Sequence, residues 1–372
     1  MKKRILINLL SFSEEKYYGV GVYFRDVAIK SINRVIEELE CEICILYLAH
    51  IPIQKMFTFS KNENIKYIPV KKINSKLTRV FYEQIMLPLY HRDYDVIYSP
   101  NNINPLILAF SKKSIITIHD LLPFKRKNRF SLLQRQYLKL FTYLSAKFAY
   151  KIITVSNYSK MEIMRLLGTS GDKVIVTYNT LPNIHIENPS INCWINCKYF
   201  FSVGALQSDK QYDLMIKAFY KFIQMDEQYK DYKLLIAGGD LGAKKSLCNL
   251  IDEFNLSGKV ILLGYISELE KNSLYSSCTA SLLLGKSEGF GIPVIESMFH
   301  NKPVIVSDLG ALPEIVGDAG IVVNSNLNDL TNAMVNVCNL NLSEKVFKHE
   351  LDRFESEKQI ECLTSVIKKA IS

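Results

Sequence analysis

The sequence contains no long hydrophobic run. No stretch of about 18–20 apolar residues, the length needed to cross a bilayer, occurs among its 372 residues. The opening MKKRILINLL is basic at first, but its apolar run is short, is broken by Asn8 and lacks a small-residue cleavage site. It therefore predicts a first β-strand rather than a secretory signal.

The eight cysteines lack the neighbours that a metal site needs. Cys41 and Cys44 lie three residues apart in a strand-like run, so their side chains point to opposite faces. Cys193 and Cys197 form a second pair, and neither pair has a cluster of His or Asp beside it. Reduced thiols in a cytosolic protein are the interpretation we prefer, with no metal bound.

Length and composition indicate a soluble protein of two domains. Apolar residues make up 48% and charged residues 22% of the chain, which is typical of globular proteins. A chain of 372 residues is too long for one ordinary core.

Short apolar runs alternate with longer amphipathic segments. Many of the runs are continuously apolar, as buried parallel strands are, and the alternation predicts doubly wound α/β sheets. Thirteen runs are predicted strands: RILINLL, EICILYL, KYIPV, DVIYS, SIITIHD, KIITVS and KVIVTY in the first half, and YFFSVGAL, KLLIAGG, KVILLGYI, ASLLL, PVIVS and AGIVV in the second.

The alternation restarts after a polar, aperiodic segment at 182–197. We therefore expect a Rossmann-like domain at 1–190 and a second Rossmann-like domain at 191–345. The two would face each other across a cleft, since ligands bind at the carboxyl ends of parallel strands. Residues 346–372 are predicted to form a helix that crosses back to the first domain.

The net charge of +9 is concentrated in one segment. Between Lys112 and Lys151 there are ten Lys or Arg and a single acid, Asp120, whereas the rest of the chain is neutral overall. Basic and aromatic residues alternate in the helical part of this segment, which suits an anionic membrane surface. A solvated helix face with its aromatics packed inward remains the alternative, and no nucleic-acid-binding motif is present.

One motif carries most of the chemical information, GKSEGFGIPVIESM at 285–298. Glycines follow a strand, Pro293 suits the start of a helix, and the amino terminus of that helix is an anion site suited to phosphate. Carboxylates accept hydrogen bonds from hydroxyl groups, so Glu296, expected in the first turn of the helix, could hold a ribose, and Glu288, in the loop before it, a second polyol. Ribose, diphosphate and sugar in sequence indicate a nucleotide sugar. Alternatively, Glu288 caps a turn and Glu296 favours the helix terminus.

The segment GKSEGFGIPVIESMFHNKPVIVSDLGALPEIVGDAGIVV resembles the signature of the family 4 retaining glycosyltransferases, whose fold is GT-B. The E-x7-E motif of that family matches Glu288 and Glu296. KIITVSNYSKMEIMRLLG, TIHDL, YYGVGVYFRDV and KVILLGYISELEKNSLYSSCTASLLL resemble other parts of the family, so that the likeness covers most of the chain.

The resemblance implies metal-independent transfer of a sugar, with no cofactor besides the nucleotide diphosphate sugar and with retention of configuration. It implies that the domain at 1–190 binds the acceptor and that the domain at 191–345 binds the nucleotide sugar. It also implies catalytic roles for His119, Lys210 and Glu288, with His119 and Asp120 on the acceptor side and His119 in a supporting role. His119 without a function is the alternative. Donor-binding positions would be Gly19, Gly21, Gly204, Lys210, Tyr265, Ile266, Lys286, Glu288, Gly289, Phe290, Gly291, Ile292 and Glu296.

The chain departs from the family in one loop. GALQSDKQ has Ala205 and Asp209 where arginine is expected, and no arginine occurs between Arg165 and Arg353. Negative charge on the leaving diphosphate still needs stabilisation. We expect Lys210 to provide most of it and Lys286 to be either a second cation or a solvated loop charge.

These features together predict transfer of a hexose to a lipid-linked or oligosaccharide acceptor in bacterial O-antigen or capsule synthesis. GDP-mannose is the first expectation for the donor and a UDP-sugar the second. The enzyme would be cytoplasmic and peripheral at the inner face of the plasma membrane. The alternative is a nucleotide-sugar epimerase of GT-B fold. A dinucleotide oxidoreductase is disfavoured, because no third glycine follows Gly21 and SFSEEKYY separates the strand from Gly19.

Overall fold

The computed structural model describes residues 2–12, 19–60, 62–71, 73, 75–90, 93–125, 130–181 and 197–372. The chain divides into two compact units. Unit 1 comprises Met1–Thr180 and Glu355–Ser372, and unit 2 comprises Leu181–Phe354. The predicted linker at 182–197 lies, apart from Cys197, outside the described residues.

Unit 1 contains a seven-stranded sheet in which all neighbouring strands are parallel. The strands in chain order are β1 (Lys3–Asn8), β2 (Cys41–Leu48), β3 (Ile65–Val70), β4 (Val96–Ser99), β5 (Lys113–Thr117), β6 (Lys151–Thr154) and β7 (Val174–Val176). Their spatial order is β3-β2-β1-β4-β5-β6-β7, a doubly wound arrangement.

The helices of unit 1 follow its strands. They are α1 (Val20–Tyr23), α2 (Ile29–Glu38), α3 (Ile53–Met56), α4 (Lys76–Phe81), α5 (Leu87–Tyr90), α6 (Leu106–Ser111), α7 (Leu122–Lys125), α8 (Leu132–Phe148) and α9 (Asn157–Leu167). π-Helical turns at Phe24–Ala28 and Tyr82–Met86 join α1 to α2 and α4 to α5.

Unit 2 contains a six-stranded, wholly parallel sheet. Its strands are β8 (Tyr199–Val203), β9 (Lys233–Ala237), β10 (Val260–Gly264), β11 (Ala280–Leu283), β12 (Val304–Ser307) and β13 (Gly320–Val323), in the order β10-β9-β8-β11-β12-β13. Its helices are α10 (Tyr212–Met225), α11 (Lys244–Glu253), α12 (Glu268–Ser277), α13 (Ile292–Phe299), α14 (Leu312–Val316), α15 (Leu327–Cys338) and α16 (Glu344–Leu351).

All thirteen predicted strands are confirmed, because continuous apolar runs between amphipathic segments identify strands covered on both faces. β8 illustrates the reason, since Phe200 packs in one apolar cluster and Phe201 in the other, on opposite faces of the same sheet. None of the helices in the described part of the chain is long and apolar enough to cross a bilayer.

The predicted helix at 346–372 is wrong in one respect, because the structure divides this segment between the units. α16 and a 3₁₀ turn at Asp352–Phe354 belong to unit 2, and the final helix, α17 (Ser356–Ile371), belongs to unit 1. Phe354 is buried against Phe290, and the Arg353 guanidinium donates to the carbonyl of Glu314 at 2.8 Å. These contacts stop the helix early. α17 then packs on α2, where the Ser31 hydroxyl donates to the Ile360 carbonyl at 3.1 Å.

Candidate functional site

Two loops of unit 2 begin side by side. β8 and β11 are neighbours in the sheet and run parallel, so the loops that leave their carboxyl ends start at the same edge. The first loop contains Gly204 and Lys210, and the second contains Lys286 and Glu288. The backbone N–H of Lys286 donates to the carbonyl of Asp209 at 2.9 Å, which joins the two loops directly.

The structure brings two predicted catalytic residues into contact. Nζ of Lys210 lies 2.5 Å from Oε1 of Glu288, and both side chains are largely buried, with 17% and 19% of their surface exposed. Charge-assisted hydrogen bonds of this kind are the strong ones. An ammonium has three N–H donors, so Lys210 can hold Glu288 and still donate to a ligand oxygen.

The backbone of Glu288 is fixed from a third loop. The N–H of Ala311 donates to the carbonyl of Glu288 at 2.9 Å. Gly310 adopts φ +71°, and a Cβ atom there would lie 2.6 Å from the Glu288 carbonyl oxygen. Only glycine permits this close approach, so Gly310 contributes to the position of Glu288.

The helix after Glu288 starts as the sequence predicts. Gly291 caps α13 with φ 111°, and Pro293 occupies its first turn. The first N–H groups of a helix lack intrahelical acceptors and carry partial positive charge. The amino terminus of α13 therefore provides an anion site shortly after Glu288 in the chain, and the ion pair places Lys210 beside Glu288.

Glu296 lies in the second turn of α13 rather than in the first turn that we expected. It is 4% exposed, and both of its carboxylate oxygens are engaged. Oε1 lies 2.7 Å from Nζ of Lys271, and Oε2 accepts from the hydroxyl of Tyr275 at 3.2 Å. The carboxylate that we predicted to hold a ribose thus belongs to a buried polar cluster.

Lys271 and Tyr275, both on α12, are functional candidates that sequence reasoning missed. Burial lowers the pKa of Lys271, but Glu296 and Glu268 together raise it above the ordinary value. Burial raises the pKa of Tyr275 well above its ordinary value, and Glu296 adds to this effect. A lysine and a tyrosine four residues apart on an amphipathic helix look ordinary in the sequence, and no motif points to them.

The other predicted donor residues are spread along the same sheet edge. Tyr265 follows β10 and is 79% exposed, whereas Ile266 packs against an apolar cluster beneath it. Lys286 is exposed, and Phe290 is buried against Phe354. A Cβ atom on Gly204 would lie 3.4 Å from the Lys210 side chain, so this glycine adjoins the lysine. Gly289 and Ile292 flank Phe290 and Gly291 in the loop.

His119 lies in unit 1, directly after β5. Its Nε2–H donates to the carbonyl of Pro100 at 3.2 Å, which leaves Nδ1 as the acceptor of the ring. Burial lowers the pKa of His119 to about 4, against the opposing effect of the Pro100 hydrogen bond. The imidazole is therefore neutral at physiological pH, and the ring of Tyr23 packs edge-on against it at 5.4 Å.

The remaining predicted residues of unit 1 lie near the carboxyl ends of β1 and β5. The Asp120 carboxylate accepts from the N–H of Leu122 at 3.1 Å. Gly19 caps α1 and Gly21 is buried within it. Tyr17 and Tyr18, which precede Gly19 in the predicted glycine loop, lie outside the described residues.

No group of three or more His, Cys, Asp or Glu residues is placed to hold a metal ion within the described ranges. The Cys41 and Cys44 side chains are both buried, and burial raises the pKa of each thiol.

Two family models match the chain, one in each half. The model described as glycosyltransferase family 4 matches residues 58–182. The model described as glycosyl transferases group 1 matches residues 196–349, which include Lys210, Lys271, Glu288 and Glu296.

Relatives with curated names agree with these models. The chain is 27% identical over 256 residues to O-antigen chain mannosyltransferase B of Escherichia coli, covering 66% of this chain and 65% of that protein. It is 30% identical over 214 residues to O-antigen chain mannosyltransferase RfbU of Salmonella typhimurium, covering 57% of each. The chain thus spans somewhat under two thirds of the lengths of these relatives.

Solved structures share the fold. HepE of Anabaena, solved in complex with UDP, superposes with a TM-score of 0.73 at 17% identity over 99% of this chain and 100% of that one. WaaG, a glycosyltransferase involved in lipopolysaccharide biosynthesis, superposes with a TM-score of 0.69 at 12% identity over 98% of this chain and 99% of that one. The chain therefore contains a domain that matches glycosyltransferase family 4 and a domain that matches glycosyl transferases group 1, and its two parallel-sheet units are those of the GT-B fold.

Proposed function

We propose that this protein is a retaining hexosyltransferase that uses a nucleotide diphosphate sugar as donor. The observation that carries the proposal is the contact between Lys210 and Glu288 beside the amino terminus of α13. A cation, a carboxylate and a helix amino terminus meet at one sheet edge, where α/β proteins bind their ligands. The cation and the helix amino terminus suit a diphosphate, and the carboxylate suits a sugar hydroxyl.

The groups at this edge match the charge that develops in the reaction. When the bond from the anomeric carbon to the β-phosphate oxygen breaks, negative charge accumulates on the diphosphate. The Lys210 ammonium and the positive end of the α13 dipole stabilise that charge without any metal or cofactor. The acceptor oxygen bonds to the anomeric carbon on the same face, and its proton passes to the departing phosphate oxygen.

Glu288 has a separate task in this proposal. Its carboxylate accepts hydrogen bonds from the hydroxyls of the donor sugar while the contact with Lys210 holds it in position. In unit 1, neutral His119 offers Nδ1 as an acceptor for a hydroxyl, which is the supporting role that we assign to it.

We propose mannose as the sugar, GDP as the first and UDP as the second choice of nucleotide, and a lipid-linked or oligosaccharide acceptor in O-antigen or capsule synthesis. The named activity of two relatives, O-antigen chain mannosyltransferase, supports the sugar and the context. A third relative, from Campylobacter jejuni, is named for a diphospho-undecaprenol acceptor, which supports a lipid carrier. The UDP bound to HepE supports the second nucleotide.

We further propose that the segment Lys112–Lys151 holds the protein peripherally on the anionic inner face of the plasma membrane. Helix α8 exposes Leu132, Leu133 and Leu140, so its apolar residues are not all packed inward. Part of the segment has internal roles, since Lys125 pairs with Glu162. Residues 126–129 of the segment lie outside the described residues.

The proposed activity is tested with the purified full chain and radiolabelled donor. GDP-mannose and UDP-sugars are incubated in turn with lipid-linked oligosaccharide extracted from cells that make O-antigen, and label in the lipid fraction is measured. Label that appears with one donor supports the proposal and identifies the nucleotide. A donor sugar converted to its epimer without acceptor would contradict transfer and favour the epimerase.

A further inference from the structure

The helical segment 76–90 of unit 1 turns its apolar side chains outward. Leu77, Phe81, Ile85 and Leu89 are 83%, 54%, 43% and 53% exposed, and we call this set the apolar ridge. On its inner side, the Glu83 carboxylate is buried and accepts from the Asn8 amide at 3.5 Å. Leu87 of the same segment is fully buried, so the segment packs on the core and also exposes a second apolar face, which a usual surface helix does not.

The geometry of the segment keeps the ridge on one side. Residues four apart drift around a regular α-helix, which has 3.6 residues per turn. The π-helical turn at Tyr82–Met86 lies in the middle of the segment and has more residues per turn, which offsets the drift. Exposed apolar side chains of adjoining α6, Ile107 and Phe110, extend the same kind of surface.

Basic residues accompany the ridge in the sequence. Residues 71–93 contain five Lys or Arg and two acids, and one of these acids is the buried Glu83. An exposed apolar face in a segment whose sequence is rich in Lys and Arg is the pattern of helices that lie in a membrane interface. Phospholipid acyl chains would cover the apolar face, and anionic headgroups would match the cations.

We propose that the apolar ridge inserts into the interface of an anionic bilayer. This inference rests on the membrane contact proposed above for Lys112–Lys151 and adds a second exposed apolar surface, which lies outside the basic segment. The two contacts differ in their response to salt, since charge attraction is screened whereas apolar burial is not.

The test is sedimentation of the full chain with vesicles of phosphatidylglycerol and phosphatidylcholine, and of phosphatidylcholine alone. L77Q/F81Q should lower partitioning onto the anionic vesicles at least about tenfold, because two large apolar side chains lose their burial. L241Q, at an equally exposed apolar position of unit 2, is the matched control and should bind as wild type does. K139E/K147E tests the basic segment separately.

Equal vesicle binding by L77Q/F81Q and wild type would overturn the proposal that the apolar ridge inserts into the bilayer. Vesicle binding by K139E/K147E would still show whether the basic segment contributes. A wild-type chain that binds neither vesicle contradicts the membrane contact itself. If L77Q/F81Q instead converts a dimer to a monomer in solution and binds vesicles normally, the ridge faces a second copy and the proposal is wrong.

A second inference concerns Gln211, which adjoins Lys210. Gln211 adopts the left-handed conformation with φ 53°, which is unfavourable for residues other than glycine by about 1 kcal/mol. Its side chain is 6% exposed. Nε2 donates to the carbonyl of Leu284 at 2.7 Å and to the hydroxyl of Ser325 at 3.1 Å.

These bonds connect Lys210 to the loop of its partner. Leu284 ends the strand run that leads to Glu288, and Ser325 follows β13. Hydrogen bonds on both sides of Lys210 therefore hold its loop. They are made by the Gln211 amide, which follows Lys210, and by the Asp209 carbonyl, which precedes it. A strained residue persists when its surroundings hold it in place, as the two hydrogen bonds of this side chain do.

We infer that Gln211 is a positioning residue that keeps the Lys210 ammonium beside Glu288 for the diphosphate. The inference rests on the proposed donor site. A double-mutant cycle tests it, because a residue that acts only through Lys210 has no effect once Lys210 is removed. The probe is GDP, with UDP in parallel, measured by titration calorimetry.

Q211G should lower GDP affinity about tenfold, because the hydrogen bonds of the Gln211 side chain to Leu284 and Ser325 are lost. The melting temperature should change little, because glycine adopts the left-handed conformation without strain. K210A/Q211G should bind as K210A does. Additive losses in the double variant would overturn the role of Gln211 alone. If K210A binds both nucleotides as wild type does, the donor site itself is contradicted.

Discussion

Lys210 and Glu288 form an ion pair across 78 positions of sequence, with Nζ and Oε1 2.5 Å apart. Neither loop alone would bring them together. They meet because β8 and β11 are adjacent and parallel, so that both loops leave the same edge of the sheet. The pair makes the lysine loop and the E-x7-E segment a single site, and its importance can be measured.

Lys210→Ala should lower turnover by about 10²–10³, the effect of losing one preorganised donor to a developing charge. Lys286→Ala serves as the matched control in the neighbouring loop, since Lys286 is exposed and its established hydrogen bond comes from its backbone. Initial rates of sugar transfer at saturating donor measure both.

Equal rates for Lys210→Ala and wild type would remove Lys210 from the catalytic site. A loss in Lys286→Ala as large as that in Lys210→Ala would instead identify Lys286 as the second cation that replaces the missing arginine.

Lys271→Met should lower the free energy of unfolding by about 3–5 kcal/mol, because it leaves the Glu296 carboxylate buried without its partner. Lys230→Met breaks the exposed pair with Glu227 and should change stability by no more than about 1 kcal/mol. Urea unfolding followed by circular dichroism measures both variants. Similar losses of stability in Lys271→Met and Lys230→Met would show that burial of Glu296 does not determine how much its ion pair contributes to the free energy of unfolding.

His119 should make the protein less stable as the pH falls. Burial lowers its pKa to about 4, whereas the unfolded value is about 6.5. Between these values the unfolded chain binds a proton that the folded chain does not, so stability present above pH 6.5 is lost towards pH 4. The loss from pH 7 to pH 5 is about 2 kcal/mol for this group.

His119→Asn isolates the contribution. The difference between the free energies of unfolding at pH 7 and pH 5 should be smaller in the variant than in wild type, while other groups such as His300 act in both. An unchanged difference would mean that His119 is not held neutral by burial.

Gly310→Ala should destabilise the protein more than Gly242→Ala does. Both glycines have positive φ, 71° and 98°, so both variants share the conformational cost of about 1 kcal/mol. Only at Gly310 would the new Cβ meet backbone, 2.6 Å from the Glu288 carbonyl oxygen, whereas Gly242 has open space around it. Gly310→Ala should therefore unfold at a lower urea concentration than Gly242→Ala. It should also transfer sugar more slowly, because movement of Glu288 lowers turnover.

Equal stabilities of Gly310→Ala and Gly242→Ala would show that the Glu288 loop adapts to the added methyl group. Normal transfer by a destabilised Gly310→Ala would show that the position of Glu288 tolerates this displacement.

Local pattern in the sequence determined the thirteen strands, the two parallel sheets and the start of α13 after Glu288, whereas Lys210 was predicted from the resemblance to a family. Continuous apolar runs, glycine and proline act within a few residues, so their meaning can be predicted from the chain alone. The break in the C-terminal helix could not, because it depends on Phe354 packing against Phe290, 64 positions earlier.

The partners of the site residues were decided by tertiary structure. Lys271 reaches Glu296 because α12 and α13 pack together, and Gln211 reaches Leu284 because strand order places β11 beside β8. The apolar ridge likewise depends on which side of its helix faces the sheet. Pairings between distant segments depend on strand order, register and burial, which only the folded chain defines.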